Sequence, residues 1–260
     1  MGALDSSLEI LHCFSQARPE LSFADIVTAT GRPKSSISRL LRTLETCRLI
    51  ERDPRTRRYR PGLLTFELGR LYRAQDDMIG LVERHLREVC ERTGHTGYIA
   101  ILDGVEQVVL RMVPGSNPLR VMNPPGQRTS ALLTSNGRAM LARLPDNELR
   151  ARMPEPFPRL VANAPQSFEA LMARIRDIRR TLTSTSENEA IEGVASRGFA
   201  LINGETREMV GVAVSYSSQA TSQEERAEVG QALRALALRL GRLVGDKLWI
   251  NCVPAEGFPA

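Results

Sequence analysis

A run of small hydroxyl and basic residues at 34–42 could hydrogen-bond to an anionic surface. Its polar members are Lys34, Ser35, Ser36, Ser38, Arg39 and Arg42. A helix turns by about 100° per residue, which places these side chains opposite or beside one apolar stripe. The stripe consists of Ile37, Leu40, Leu41 and Leu44. Serine can donate to phosphates or base edges, and arginine can bind guanine through two hydrogen bonds, so this face suits contact with a duplex. The alternative is an ordinary solvated helix face.

The residues before this segment predict a capped helix and a tight turn. Ser22 followed by Asp25 is the pattern of a capping box, and Gly31 can adopt the left-handed conformation that ends a helix. Pro33 suits the first turn of the next helix. Helix, turn and second helix in this order predict a helix-turn-helix, whose second helix enters a DNA groove.

A short hairpin, or wing, is predicted after the second helix. Residues 49–52 and 58–60 are typical of strands, and the pair Asp53-Pro54 favours a turn between them. Three basic residues lie on or beside the predicted tip: Arg55, Arg57 and Arg58. They could follow the DNA backbone or enter a narrow minor groove, although charged residues also protect exposed strand edges from pairing.

The distribution of charge favours DNA binding over a solvated surface. Residues 31–60 contain ten Arg or Lys and three Asp or Glu, a net charge of +7. The whole chain carries +5, so the remaining residues sum to −2. Positive charge concentrated around a groove-reading helix is typical of a nucleic-acid surface.

The rest of the chain predicts a second domain of the α+β class with a mainly antiparallel sheet, because helical patterns interleave with hairpin signals. One such hairpin is expected around Asp103-Gly104. We predict a winged helix-turn-helix at 1–62, a linker helix at 63–77, the second domain at 78–250 and a tail at 251–260. The linker, LLTFELGRLYRAQ, carries apolar residues on more than one face, which is typical of a helix that joins two copies.

Several function classes lack sequence support. No apolar run approaches the ~20 residues that span a membrane, and no signal peptide is evident, so we expect a cytoplasmic protein. The four cysteines are widely spaced, which predicts reduced and mostly buried thiols rather than disulfides. No metal-ligand spacing, cofactor motif, nucleophile elbow or phosphate loop is present, so neither a metal, a cofactor nor catalysis is expected.

Five segments in order resemble the isocitrate-lyase-regulator (IclR) family of bacterial transcription factors, over roughly residues 5–248. They are PKSSISRLLRTLE with RYRPG, LTFELGRLYRA, GQRTSALLTSNGRAMLARLP, NEAIEGVAS and VGVAVSYSS. The resemblance implies a winged helix-turn-helix that binds double-stranded DNA and an effector domain similar to the small-molecule-binding GAF fold. It also implies homodimers that can pair into tetramers, and effectors that are small organic acids or related metabolites.

The resemblance also implies an effector pocket at five positions: Ser135, Asn136, Val194, Ser196 and Ser215. The residue types agree, because a helix starting near Ser135 would present free N–H groups to a carboxylate and the serines would add hydroxyl donors. The alternative is an ordinary helix cap beside polar sheet positions.

The chain departs from the family pattern in places. Ser130-Ala131-Leu132 lacks a polar group common before the pocket helix, and Phe199-Ala200 stands where the family often has Ala-Pro. Strand alternation places Arg197 opposite Ser196, which predicts a sheet-surface residue unless the strand twists. Cys47-Arg48 replaces the glycine usual before the wing.

Three functions stay open at this point. They are a ligand-responsive regulator, an enzyme with a DNA-targeting domain, and a constitutive DNA binder whose second domain only oligomerises. A metabolite that changes DNA affinity would distinguish the first from the third.

Overall fold

The chain folds into two units that divide between residues 76 and 77. The computed structural model describes residues 2–15, 17–72, 77–117 and 123–252. Within these ranges, no helix is both long enough and apolar enough to cross a membrane.

The first unit is a helix-turn-helix with a two-stranded wing, as predicted. Its elements are α1 (Ala3–His12), α2 (Phe23–Thr30), α3 (Lys34–Thr46), β1 (Ile50–Arg52), β2 (Tyr59–Pro61) and α4 (Leu63–Leu71). The strands pair antiparallel, with Glu51 opposite Arg60. The predicted stripe of α3 is buried against α1, α2 and the wing, so the polar face of α3 points outward.

The start and end of α2 confirm the sequence pattern. Ser22 Oγ accepts from Asp25 N at 3.1 Å, while Asp25 Oδ2 accepts from Ser22 N at 2.8 Å, which completes the capping box. Gly31 ends the helix at φ 63°. Pro33 lies one position earlier than predicted, as the N-cap of α3, because its extended conformation (ψ 139°) precedes the first helical residue.

The second unit is an antiparallel sheet between helices. Its elements are α5 (Asp77–Thr93), β3 (Thr96–Asp103), β4 (Glu106–Val113), β5 (Arg128–Ser130), α6 (Ser135–Leu141), α7 (Asp146–Arg152), α8 (Phe168–Thr181), β6 (Ser184–Glu187), β7 (Val194–Ile202), β8 (Met209–Ser217), α9 (Gln223–Leu243) and α10 (Lys247–Ile250). The strand order is β5-β4-β3-β8-β7-β6, and every neighbouring pair is antiparallel. The α+β class and the mainly antiparallel sheet are therefore confirmed.

The two faces of this sheet have different partners. Apolar residues of α5 and α9 form the main core with one face, which includes Ile99, Phe199 and Val212. On the other face, Ala139 and Met140 of α6 pack on Ala100 and Ala200. The predicted turn after Asp103 is present, with Gly104 at φ 63°.

Other expectations need correction or lie outside the described residues. Only Cys90 is buried, whereas Cys47 is exposed because it caps the C-terminus of α3 at the surface. The linker helix is described as far as Leu71, and residues 73–76 of the predicted linker are outside the described ranges. Residues 253–260 of the predicted tail also lie outside them.

Arg48 occupies a position that favours glycine. It has φ 60° at the end of α3, where Leu49 N donates to Leu44 O at 3.0 Å and Arg48 N donates to Glu45 O at 2.9 Å. These two bonds form a Schellman motif, in which the residue at Arg48 is most often glycine because it must be left-handed. The fold therefore retains the glycine conformation at a position that the sequence gives to arginine.

We expect Arg48→Gly to stabilise the protein by about 0.5–1 kcal/mol, because relief of the left-handed strain exceeds the added freedom of the unfolded chain. Urea unfolding at equilibrium measures the change. Arg55→Gly is the matched control, since Arg55 has no positive φ and should lose stability. Equal losses in both variants would contradict the assignment of strain to Arg48.

Candidate functional site

The outer face of α3 presents the polar residues that the sequence singled out. Lys34, Ser35, Ser38, Arg39 and Arg42 are exposed, and Ser36 is half-buried. Within the described part of the chain, neither Arg39 nor Arg42 forms an ion pair. Their guanidinium groups therefore remain available to an external anion.

The tip of the wing is a turn closed by Asp53. The Asp53 carboxylate accepts from Arg55 N at 2.8 Å and Thr56 N at 2.7 Å, and these bonds lower the pKa of Asp53. The carbonyl of Asp53 accepts from Arg57 N at 2.9 Å, and Arg57 is left-handed at φ 59°. The turn leaves Arg55 and Arg57 exposed.

The other wing arginines contact the protein itself. Arg58 Nη2 lies 3.2 Å from both Glu20 O and Asp25 Oδ2, so it ties the wing to the start of α2. Arg60 pairs with Glu51 at 2.6 Å. Arg52 donates to Arg57 O at 3.0 Å and lies over the ring of Tyr59. The net charge counted from the sequence gives every wing arginine the same weight. The structure separates them, because contacts with residues distant in sequence decide which arginines are already bound within the protein.

The second candidate site begins with a row of hydroxyl residues across four strands. Thr96 is paired with Ser215, Ser215 with Ser196, and Ser196 with Ser186, along β3, β8, β7 and β6. The predicted residues Ser196 and Ser215 are thus direct neighbours, although 18 residues separate them in the chain.

Two glycines let α6 lie directly on this part of the sheet. A Cβ at Gly198 would be 3.1 Å from Asn136 N, and one at Gly211 would be 2.9 Å from Asn136 O. Thr134 caps the helix by accepting from Gly137 N at 3.2 Å. The close approach brings Ser135 Oγ to 2.8 Å from Ser196 Oγ.

The first turn of α6 is a weaker anion site than the sequence predicted. The helix has only seven residues, and Gly137 N already donates to Thr134 Oγ1 and Asn136 Oδ1. Hydroxyl and amide side chains, rather than a helix terminus, therefore dominate the chemistry of the site.

A small cavity of about 30 Å³ lies between α6, the sheet and the loop at 188–193. This volume is on the order of one water molecule. Four of the five predicted residues line it, namely Asn136, Val194, Ser196 and Ser215, and Ser135 contacts Ser196 beside it. Sequence reasoning missed five polar lining residues: Tyr98, Gln107, Asn123, Thr134 and Ser186.

The missed residues are neutral and mostly buried. Burial raises the pKa of Tyr98, so its phenol stays protonated at neutral pH. Gln107 is 3% exposed, and its Oε1 has no hydrogen-bond partner among the residues that the structure describes. A signal was present, since polar residues at alternate positions of otherwise apolar strands point into an interior site. No charged side chain lines the cavity among the described residues.

A buried ion pair anchors the loop that covers the cavity. Arg138 of α6 is fully buried and binds Glu189 through Nη1–Oε2 at 2.5 Å and Nη2–Oε1 at 2.9 Å. Burial lowers the pKa of Arg138, and the Glu189 carboxylate opposes that shift. Glu189 precedes Ala190 and Ile191, which line the cavity, so the pair joins the helix under the site to the loop above it.

Arg197 lies on the opposite face of the sheet, as alternation predicted. Its Nη1 approaches Gly230 of α9 so closely that a Cβ there would be 2.0 Å away. Leu132 packs in a separate apolar core with Leu141 and Leu149, away from the cavity. Neither departure from the family pattern therefore places a charge in the site.

A winged helix-turn-helix joined to an antiparallel α+β domain with an interior polar cavity defines a class of DNA-binding transcriptional regulators. This chain belongs to the IclR family. Residues 3–54 match the IclR helix-turn-helix domain, and residues 72–242 match the bacterial transcriptional regulator IclR C-terminal domain.

Individual relatives agree with this assignment. The chain is 27% identical to the HTH-type transcriptional regulator XynR of Escherichia coli K12, over 94% of this chain and 97% of that protein. An IclR transcriptional regulator from Silicibacter sp. TM1040 has the same fold, with a TM-score of 0.80, 24% identity, and coverage of 97% of this chain and 98% of that one. An IclR homologue from Microbacterium hydrocarbonoxydans, complexed with 4-hydroxybenzoate, has a TM-score of 0.77, 16% identity, and coverage of 90% and 97%.

Proposed function

We propose that a small organic acid, held between α6 and the sheet, controls the affinity of this regulator for its operator. The observation that carries this proposal is the interior cavity into which four sequence-distant polar segments converge. Polar groups that converge on an interior cleft are a feature of small-molecule sites.

For the DNA end, we propose that α3 enters the major groove through Lys34, Ser35, Ser36, Ser38, Arg39 and Arg42. The exposed tip residues Arg55 and Arg57 would contact the flanking backbone or minor groove. Arg58, which also belongs to the predicted set, would act mainly by holding the wing against α2, because its guanidinium already contacts Asp25.

Arg39→Ala should weaken binding to a selected operator by about 1–3 kcal/mol and binding to random duplex much less, because a base contact is specific. Arg57→Ala should weaken both and lower the slope of log K against log salt by about 1, because one phosphate contact is lost. Fluorescence anisotropy over a salt series, on an operator selected from random duplexes, measures both effects.

Arg180→Ala is the charge-matched control, since Arg180 is 78% exposed in the second unit. Equal weakening of operator and random DNA by Arg39→Ala would remove the base-reading role of that residue.

We also propose a homodimer, able to pair into a tetramer, that uses α4. Within the described part of the unit, this helix has no buried residue, and four of its large apolar side chains are exposed: Leu63, Phe66, Leu68 and Leu71. A patch of this kind on a stable protein marks an interface.

Phe66→Glu should shift the protein toward monomer in sedimentation velocity, because a charge would be buried where the two copies meet. Glu67→Ala, one residue along on the same exposed helix, should leave the distribution unchanged. A dimer that survives Phe66→Glu at wild-type affinity would place the interface elsewhere.

For the effector, we expect uncharged hydroxyl and amide side chains of the lining to hydrogen-bond a small acid. The IclR homologue complexed with 4-hydroxybenzoate, which has a similar fold, supports an aromatic acid as one candidate. Because the cavity of about 30 Å³ holds roughly one water molecule, a ligand would enter as the loop at 188–193 moves outward. The same small volume favours the second candidate, a constitutive regulator whose C-terminal domain only oligomerises.

Thermal denaturation with a panel of small aliphatic and aromatic acids separates these two candidates. An effector at about 100 times its dissociation constant stabilises by ~2.7 kcal/mol, which should raise the Tm by several degrees. Ser196→Val should abolish the shift by removing a lining hydroxyl, and Ser135→Trp should do so by filling the site. Thr185→Ala, exposed on β6, is the control. No shift with any acid would favour the constitutive regulator.

A further inference from the structure

Gln107 carries a buried carboxamide that the fold itself does not use. The residue lies on β4, where its backbone is paired with Leu102 and Thr129. Its side chain faces the cavity and is 3% exposed, yet Oε1 is fully buried and has no hydrogen-bond partner in the described part of the chain. Leaving a buried acceptor unpaired costs stability, so such a group is expected to serve a ligand or an interior water.

Four neighbouring polar side chains of the lining already have protein partners. Ser186 Oγ donates to Leu133 O at 2.7 Å, and Ser196 Oγ is bonded to Ser135 Oγ. Thr134 Oγ1 accepts from Gly137 N, and so does Asn136 Oδ1. Among the described polar atoms of the lining, Gln107 Oε1 is the one that is fully buried and has no hydrogen-bond partner, so its hydrogen-bonding capacity is left for an occupant.

We infer that Gln107 selects effectors that carry a hydroxyl group, so that the regulator responds to hydroxylated organic acids in preference to their deoxy counterparts. This inference rests on the proposed effector function of the same cavity. It narrows that function from small acids in general to acids with a hydrogen-bond donor besides the carboxylate.

The chemistry of the Gln107 carboxamide favours hydroxylated acids over their deoxy counterparts. A carboxylate only accepts hydrogen bonds, so it could bind Gln107 Nε2 but would leave Oε1 unpaired. A hydroxyl both donates and accepts, so it can satisfy whichever edge of the carboxamide faces it. A site whose buried group needs a donor rejects the analogue that lacks one, because the group then stays unpaired in the complex.

The test compares matched acids on the wild type, Gln107→Met and Gln219→Met. The probes are 4-hydroxybenzoate with benzoate and lactate with propionate, and isothermal titration gives each dissociation constant. Methionine keeps the approximate volume of glutamine but removes the amide. Gln219 is exposed, so its substitution controls for the loss of a glutamine.

We expect the wild type and Gln219→Met to bind the hydroxylated member of a pair about tenfold or more tightly than its partner. In Gln107→Met this ratio should fall to about 1, through weaker binding of the hydroxylated acid. Without ligand, the Tm of Gln107→Met should equal or exceed that of the wild type, because an unpaired buried group has been removed.

Two results would overturn the role of Gln107. One is a hydroxyl preference that persists unchanged in Gln107→Met, or is absent from the wild type although both acids bind. The other is a Tm of the ligand-free Gln107→Met that falls by several degrees, which would show that the amide is a structural group. Binding of none of the four acids, by contrast, would reject the proposed effector function and this inference with it.

Discussion

The contact between α6 and the sheet is the constraint on which the second unit depends. Gly198 and Gly211 leave no side chain beneath Asn136, so the helix backbone rests on the strands. That approach brings Ser135 to Ser196 and places the first turn of α6 along one wall of the cavity. Any side chain larger than hydrogen at those glycines would lift the helix and open the polar row.

The same helix supplies a buried ion pair. Arg138 donates to both carboxylate oxygens of Glu189 and to the carbonyls of Leu132 and Thr185. A buried ion pair is tolerated when its partners satisfy both charges, and loss of one partner is then severe. Glu189 lies in the loop over the cavity, and its carboxylate is bound by both Arg138 and Arg174. Movement of the loop that separated Glu189 from Arg138 would therefore cost free energy.

In the first unit, ion pairing divides the arginines by role. Arg58 and Arg60 contact acidic residues of the unit and brace the wing, whereas Arg55 and Arg57 stay exposed on a turn that Asp53 closes. Since Asp53 has a lowered pKa, it remains a carboxylate well below neutral pH and keeps this turn formed. The basic surface is thus smaller and better defined than the count of arginines indicates.

Local pattern determined much of this protein. The capping box of Ser22, the left-handed Gly31, the stripe of α3 and the turn at Gly104 depend on neighbours within a few residues, so the sequence alone predicted them. The resemblance to known regulators predicted four of the residues that line the cavity. Family motifs mark residues that meet in the fold although they are distant in sequence, and local pattern carries no such information. Only the tertiary structure decided that Gln107 and Tyr98 face the same cavity, that Glu189 pairs with Arg138, and that Arg58 binds Asp25. The partners in the two ion pairs are tens of residues apart, and Gln107 and Tyr98 lie on neighbouring strands, so strand register and helix packing, rather than local propensity, bring these residues together.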